Sequence, residues 1–212
     1  MRLSDRDVLQ HMANGDIEID PMPNEDAFGS FSVDVRLGHI FQTFQPCQIP
    51  FLDLSASTGS YSVSENIMKT VVIGETDHFF LHPGEFALGM TMERIKLASH
   101  IVGWLDGRSS LARVGLMVHI TAHSVDPGWN GNITFEFFNA GRLPLALKPG
   151  MRIGAISFEQ LSSPTSKPYG EKRGAKYHGQ SGPLSSRIVR DAVTGATTPH
   201  NQMDPHSEKS DD

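Results

Sequence analysis

Three Pro-Gly pairs, Pro83-Gly84, Pro127-Gly128 and Pro149-Gly150, punctuate the chain, and each sits between apolar-rich segments. Proline presets the backbone for a turn, and glycine supplies the positive φ that tight turns require. Pairs so placed read as hairpin connections. The segments between them are short. That predicts strands rather than long helices, and hence a sandwich, jelly roll or closed barrel. Phe31, Val33, Val35 and Leu37 alternate with polar residues, the period-2 pattern of a half-buried strand.

Short helices interrupt this pattern. Ser4 through Asn14 reads as one, with Ser4 and Asp7 resembling a capping box in which Asp replaces Glu. Val8, Leu9 and Met12 supply its apolar stripe, and Gly15 its stop. A second helix is expected over Ser109 to Val114, capped by its two serines and ended by Gly115. Residues 53–70 are polar and Ser-rich, and predict a long loop or a short helix. From about Ser162 the composition shifts to Ser, Pro, Gly and Lys. The expected division is a body over 1–165, a C-terminal lid over 166–193 and a disordered polar extension over 194–212.

Composition narrows the function classes. The formal net charge is −6, against a broad basic surface for a nucleic-acid polymer, although local cations can still hold a small anion. Cys47 is the one cysteine, so neither an internal disulfide nor a two-cysteine metal clamp is available; a partly buried small side chain is the expected role. No apolar run approaches the roughly 20 residues of a membrane span. The opening residues Met1 to Asp7 are charged, without an apolar signal region. The expectation is a cytoplasmic protein that does not engage membranes.

Two segments can carry chemistry. In Gly107-Arg108-Ser109-Ser110-Leu111-Ala112-Arg113, a cation and two hydroxyls precede a helix start. Free backbone N–H groups there favour an anion, and the Arg108 fork suits phosphate oxygens. The Gly-x4-Gly-Lys spacing of a Walker loop is missing. The second segment is the Asp126-Pro127-Gly128-Trp129 turn and the strand Asn132 to Phe138. Alternation places Ile133, Phe135 and Phe137 on one face, and Thr134, Glu136 and Phe138 on the other. A carboxylate in an aromatic strand is costly unless it is paired or has a job. Kept from water, such a group suits taking and returning a proton near neutral pH.

Two histidine patterns are set aside. His119 and His123 have helical metal-ligand spacing, but Val118 to Ala122 reads as a strand that would hold them far apart. His206-Ser207-Glu208 matches half of the zinc deaminase signature, yet no Pro-Cys-x-x-Cys follows. No metal ligand is assigned.

Taken in order, Gly103 to Arg113, Thr121-Ala122-His123, Asp126 to Trp129, Thr134 to Phe137, Lys148 to Met151 and Ala175-Lys176-Tyr177 resemble the deoxycytidine triphosphate deaminase family of the deoxyuridine triphosphatase-like superfamily. Met1 to Asp7 and Ser32 to Gly38 also fit, and the resemblance covers about residues 1–190. It implies an all-β distorted barrel or jelly roll with a few short helices. It implies a homotrimer with sites at subunit interfaces, acting on the Mg2+ complex of dCTP to give dUTP and ammonia for thymidylate synthesis, without zinc. Glu136 would be general base and acid. Ser109 and the Ala122 backbone would hold the attacking water, with Arg113 bracing the site. Arg108, Ser109, Ser110, Lys176 and Gln180 would contact phosphates, and Asp126 the deoxyribose 3′-hydroxyl. Thr134 and Phe135 would adjoin the nucleotide, and Tyr169 would help close over it. Magnesium would be held through the triphosphate, and dTTP would inhibit by feedback.

Rival readings remain open on sequence. The nearest is a bifunctional enzyme that carries dUTP on to dUMP. Ala122-His123 before Asp126 looks more like the deaminase-only branch. A plain dUTPase has no need of the Glu136 carboxylate. A nucleotide-sensing module has no need of the full set Arg108, Ser109, Arg113 and Glu136.

Overall fold

A computed structural model describes residues 1–45, 50–54, 67–188 and 190. Cys47 and the extension 194–212 lie outside the described residues. Among the described residues, twelve strands carry the fold: β1 (Ile17–Asp20), β2 (Ser32–Arg36), β3 (Ile40–Phe44), β4 (Met68–Val72), β5 (Phe79–Leu81), β6 (Phe86–Leu97), β7 (Ile101–Gly107), β8 (Leu116–Met117), β9 (Ser124–Val125), β10 (Asn130–Asn139), β11 (Leu145–Leu147) and β12 (Arg152–Gln160). Helices α1 (Asp5–Ala13) and α2 (Ser109–Ala112) are short.

One sheet runs β4-β3-β6-β10-β8, with β1 also paired to β6; a second runs β2-β12-β7-β9; β5 and β11 form a separate pair. All these pairings are antiparallel. The two larger sheets enclose one core. Phe41, Phe135 and Phe137 from the first meet Leu105, Ile156 and Phe158 from the second, each with at most 1% exposure. This is the all-β distorted barrel expected from the sequence.

The Pro-Gly pairs do form tight turns. Backbone bonds close His82 to Glu85, Asp126 to Trp129 and Lys148 to Met151, and the three glycines take φ of 77°, 79° and 81°. They are not hairpins, however. Each joins strands of different sheets: β5 to β6, β9 to β10 and β11 to β12. A tight turn fixes a change of direction, whereas pairing follows from which apolar faces must meet in the core.

Helix α1 forms as its caps require. Ser4 Oγ accepts from the Asp7 N–H, and the Ser4 N–H and hydroxyl both donate to Asp7 Oδ2. Those bonds, the backbone one foremost, hold the Asp7 carboxyl below its ordinary range. Val8 is buried and Met12 packs on the core, but Leu9 is exposed, so the helix buries a narrower stripe than its sequence suggests.

Other expectations are corrected. Phe31 is exposed, just ahead of β2, while Val33, Val35 and Leu37 are buried. Residues 68–70 belong to β4 rather than to a loop. Helix α2 ends at Ala112, with Arg108 at its N-cap and no side-chain cap bond from a serine. The stretch from Val118 to Ala122 is bent, not a strand, and the His119 and His123 rings stack at 5.3 Å.

Candidate active site

Strand β10 presents two different faces. Phe135 and Phe137 turn into the core, as the alternation requires, while Ile133, at a register shift in β10, is buried and also lines a cleft of about 460 Å3. Thr134 and Glu136, half-buried, face the same cleft. Phe44, Met68 and Leu88 form part of its apolar wall, and Ala122, Ser124 and Val125 form one flank. Leu52, Leu54 and Ile67 add to the wall from either side of the polar stretch; the short Phe51-Leu52-Asp53-Leu54 run was their only sequence signal.

Glu136 is held from both ends. Its backbone N–H donates to the Val118 carbonyl at 3.0 Å. Its Oε2 accepts from the Ile120 N–H, also at 3.0 Å. The bent segment that follows β8 thus orients the carboxylate and also brings Ala122 to the cleft. The backbone donor anchors one carboxylate oxygen, and the side chain lines the cavity.

The C-terminal segment roofs the cleft with Tyr177, Gln180, Leu184 and Ser186. Its seat is the turn before β10. The Tyr169 N–H donates to the Pro127 carbonyl at 2.8 Å, and the Tyr169 ring lies 5.2 Å from Trp129. The Tyr169 hydroxyl accepts from the Tyr177 N–H, and the Tyr177 hydroxyl accepts from the Arg187 N–H. Gly131 has φ of 151°, and a Cβ there would lie 2.9 Å from the Gln180 carbonyl oxygen. Only glycine admits this backbone-to-backbone approach.

Buried Gln180 ties the roof to β10. Its Nε2 donates to the Asn132 carbonyl at 2.7 Å and to Thr134 Oγ1 at 3.1 Å. Its Oε1 is buried without a partner. A phosphate contact by this amide would replace one of the existing bonds. Lys176 is half-buried in the same segment, and its carbonyl accepts from Arg187. Asp126 pairs with Lys172 at the mouth of the turn. The Phe135 side chain is wholly in the core, so its backbone alone is left for a nucleotide.

Arg108, Ser109, Ser110 and Arg113 stand apart: none lines the cleft. Ser109, Ser110 and Arg113 are exposed on and beside α2. Arg108 Nη2 lies 3.4 Å from Asp34 Oδ2, and its Nη1 donates to the Arg152 carbonyl. The cation-hydroxyl cluster therefore does not share the lining of the cleft that holds the Glu136 carboxylate.

Against known proteins, a family model described as dCTP deaminase-like matches residues 2–161. The chain is 56% identical over 192 residues to a dCTP deaminase of Rhodospirillum rubrum, covering 90% of this chain and 98% of that protein. It is 53% identical to a dCTP deaminase of Alteromonas mediterranea, with coverage of 90% and 98%. Among solved structures, a 2′-deoxycytidine 5′-triphosphate deaminase from Agrobacterium tumefaciens superposes with a TM-score of 0.57 at 17% identity, over 75% of this chain and 48% of that one. At that identity the likeness is one of fold, and the chain spans about half of that protein's length.

Proposed function

The chain belongs to the dCTP deaminase-like family, and on that premise we propose that it hydrolyses dCTP to dUTP and ammonia with Glu136 moving the protons. The observation that carries the reading is Glu136 itself: a half-buried carboxylate, fixed by one backbone N–H, on the floor of a roofed cleft.

Water adds to C4 of the cytosine as one of its protons passes to the Glu136 carboxylate. The same carboxyl then protonates ring N3, giving a tetrahedral centre that bears both hydroxyl and amine. Glu136 next takes the hydroxyl proton and delivers it to the amine. The C4–N bond breaks, ammonia leaves and a carbonyl remains. One base suffices because each proton returns before the next is taken. No zinc takes part in activating the water, so positioning carries more of the rate. Ser109 and the Ala122 backbone hold the water, and Arg113 braces the site.

The separation of the Glu136 cleft from the Arg108–Arg113 cluster supports a site completed between subunits. In that arrangement one chain gives Glu136, Thr134, the Phe135 backbone, Asp126 and the roof. A neighbour in a homotrimer gives Arg108, Ser109, Ser110 and Arg113. Lys176 and Gln180 close on the phosphates, Asp126 on the sugar hydroxyl, and Tyr169 seats the lid. The substrate brings Mg2+ on its own triphosphate, which carries about four negative charges. The nucleotide dTTP, sharing sugar and triphosphate with the substrate, inhibits by favouring an inactive arrangement of Ala122 and His123. No helix among the described residues is long and apolar enough to cross a membrane.

Product analysis tests the reading. With dCTP and Mg2+, ammonia and dUTP should appear in equal amounts. Pyrophosphate and dUMP in step with ammonia would move the chain to the bifunctional reading, and nucleotide binding without ammonia would reduce it to a sensor.

A further inference from the structure

Three side chains from separate elements converge outside the cleft. His11 lies in the last turn of α1, Asp16 in the turn that leaves it, and His100 in the turn between β6 and β7. His11 Nδ1 is 2.9 Å from Asp16 Oδ2, and His100 Nε2 is 3.7 Å from Asp16 Oδ1. One ligand atom from each lies within 4.8 Å of the other two. The side chains are 17%, 24% and 24% exposed, withdrawn from bulk water yet reachable from it. The backbone beneath is fixed. The Asp16 N–H donates to the His11 carbonyl at 2.9 Å, and the Ala98 N–H to the Asp16 carbonyl at 2.8 Å.

We propose that His11, Asp16 and His100 form a binding site for a first-row divalent transition ion such as Zn2+. Two imidazoles and one carboxylate are the donor set of open zinc sites, where three protein ligands leave the fourth position to water. Imidazole donors favour zinc, cobalt or nickel over magnesium and calcium, which take oxygen ligands. Bonds of about 2.0–2.2 Å set tetrahedral ligand atoms roughly 3.3 Å apart. The two separations, 2.9 Å to Asp16 Oδ2 and 3.7 Å to Asp16 Oδ1, lie on either side of that value, so a small turn of the carboxylate brings one oxygen to both imidazoles. The ion has no part in the chemistry at Glu136. It clamps α1 and the entry to β1 onto the β6–β7 turn, and binding to the native state alone raises stability by mass action.

The test uses the full-length protein, stripped with chelator and titrated with Zn2+ by calorimetry and with Co2+ by visible absorption. One ion per chain, intense Co2+ bands of a low-coordinate site and a Zn2+-dependent rise in Tm are expected. The double variant His11→Ala/His100→Ala should lose the bands and bind Zn2+ at least about 100-fold more weakly, since even outer-sphere partners are worth 10–100-fold. Asp16→Asn, nearly isosteric, should weaken binding with the fold intact. The control His78→Ala/His82→Ala, at exposed positions, should bind as the native chain does. Ammonia release from dCTP should persist in every variant and in the stripped protein, which separates this site from the proposed catalysis. No saturable one-per-chain component, or equal affinity in the His11/His100 variant, would overturn the proposal and leave the three side chains as a hydrogen-bonded staple.

Discussion

Glu93 and Glu136 stand on neighbouring strands of one sheet, and their surroundings could hardly differ more. Glu93, on β6, is 1% exposed. Arg36 closes it off, donating from its backbone N–H to Oε2 at 2.9 Å and from Nε to Oε1 at 2.6 Å. Glu136, on β10, has one oxygen held by the Ile120 N–H and faces the cleft. Burial is deeper at Glu93, yet its charge is spent on the fold. A carboxylate can trade protons with a ligand only where a ligand can reach it, so accessibility, more than burial, marks the reactive group.

The contrast sharpens first at the roof, which covers Glu136 and not Glu93. Ending the chain before Tyr169 should lower deamination by at least about a hundredfold, the scale of a misplaced substrate. The barrel should stay folded, as circular dichroism and a retained thermal transition would show. Activity that survives this truncation would remove Tyr169, Lys176 and Gln180 from the site.

The reverse experiment is Glu93→Gln. An amide donor turned toward Arg36 loses a charge-assisted pair and should cost about 2–3 kcal/mol, moderated because the Arg36 side chain is 33% exposed. Denaturant unfolding should register that loss, while kcat per folded molecule stays near native. A kcat defect with unchanged stability would make Glu93 part of the chemistry.

Gly131→Ala should have a smaller effect. Its Cβ would press on the Gln180 backbone at a φ of 151°, costing about 1–3 kcal/mol of local strain. If that strain is relieved by lifting the roof, kcat/KM falls by about tenfold, a loss of 1.4 kcal/mol in transition-state binding. Equal losses in global stability and none in kcat/KM would mean the roof is not mobile at this point. Deleting residues 194–212 should do least, leaving activity within about twofold of native, because that stretch has a single lysine or arginine, Lys209, to offer a triphosphate.

What the sequence made legible was local. The face of β10 that carries Glu136 follows from alternation over six residues, and the α1 capping box from two residues three apart. What it hid was long-range. Arg36 and Glu93 are 57 positions apart, so no window shows that they pair. The Pro-Gly turns looked like hairpins because each lies between apolar runs, but strand partners are chosen across the core. Leu52, Leu54 and Ile67 went unnoticed as cleft wall because a Ser-rich stretch separates them. His119 and His123 approach because the chain bends between them, which a strand-like composition concealed. The placement of Arg108, Ser109, Ser110 and Arg113 away from the cleft could not be read from one chain's residues at all, since spatial separation leaves no local pattern.

The central claim is that Glu136 moves the protons of deamination. Glu136→Gln keeps the size and the Ile120 contact through its amide oxygen but cannot accept a proton. Ammonia release at saturating dCTP and Mg2+, measured beside dCTP binding by calorimetry, tests it most directly. The account predicts turnover reduced by a hundredfold to ten-thousandfold, within the usual worth of about 10²–10⁴ for general acid–base catalysis, with dCTP still bound at near-native affinity. Comparable ammonia release from the variant would contradict it.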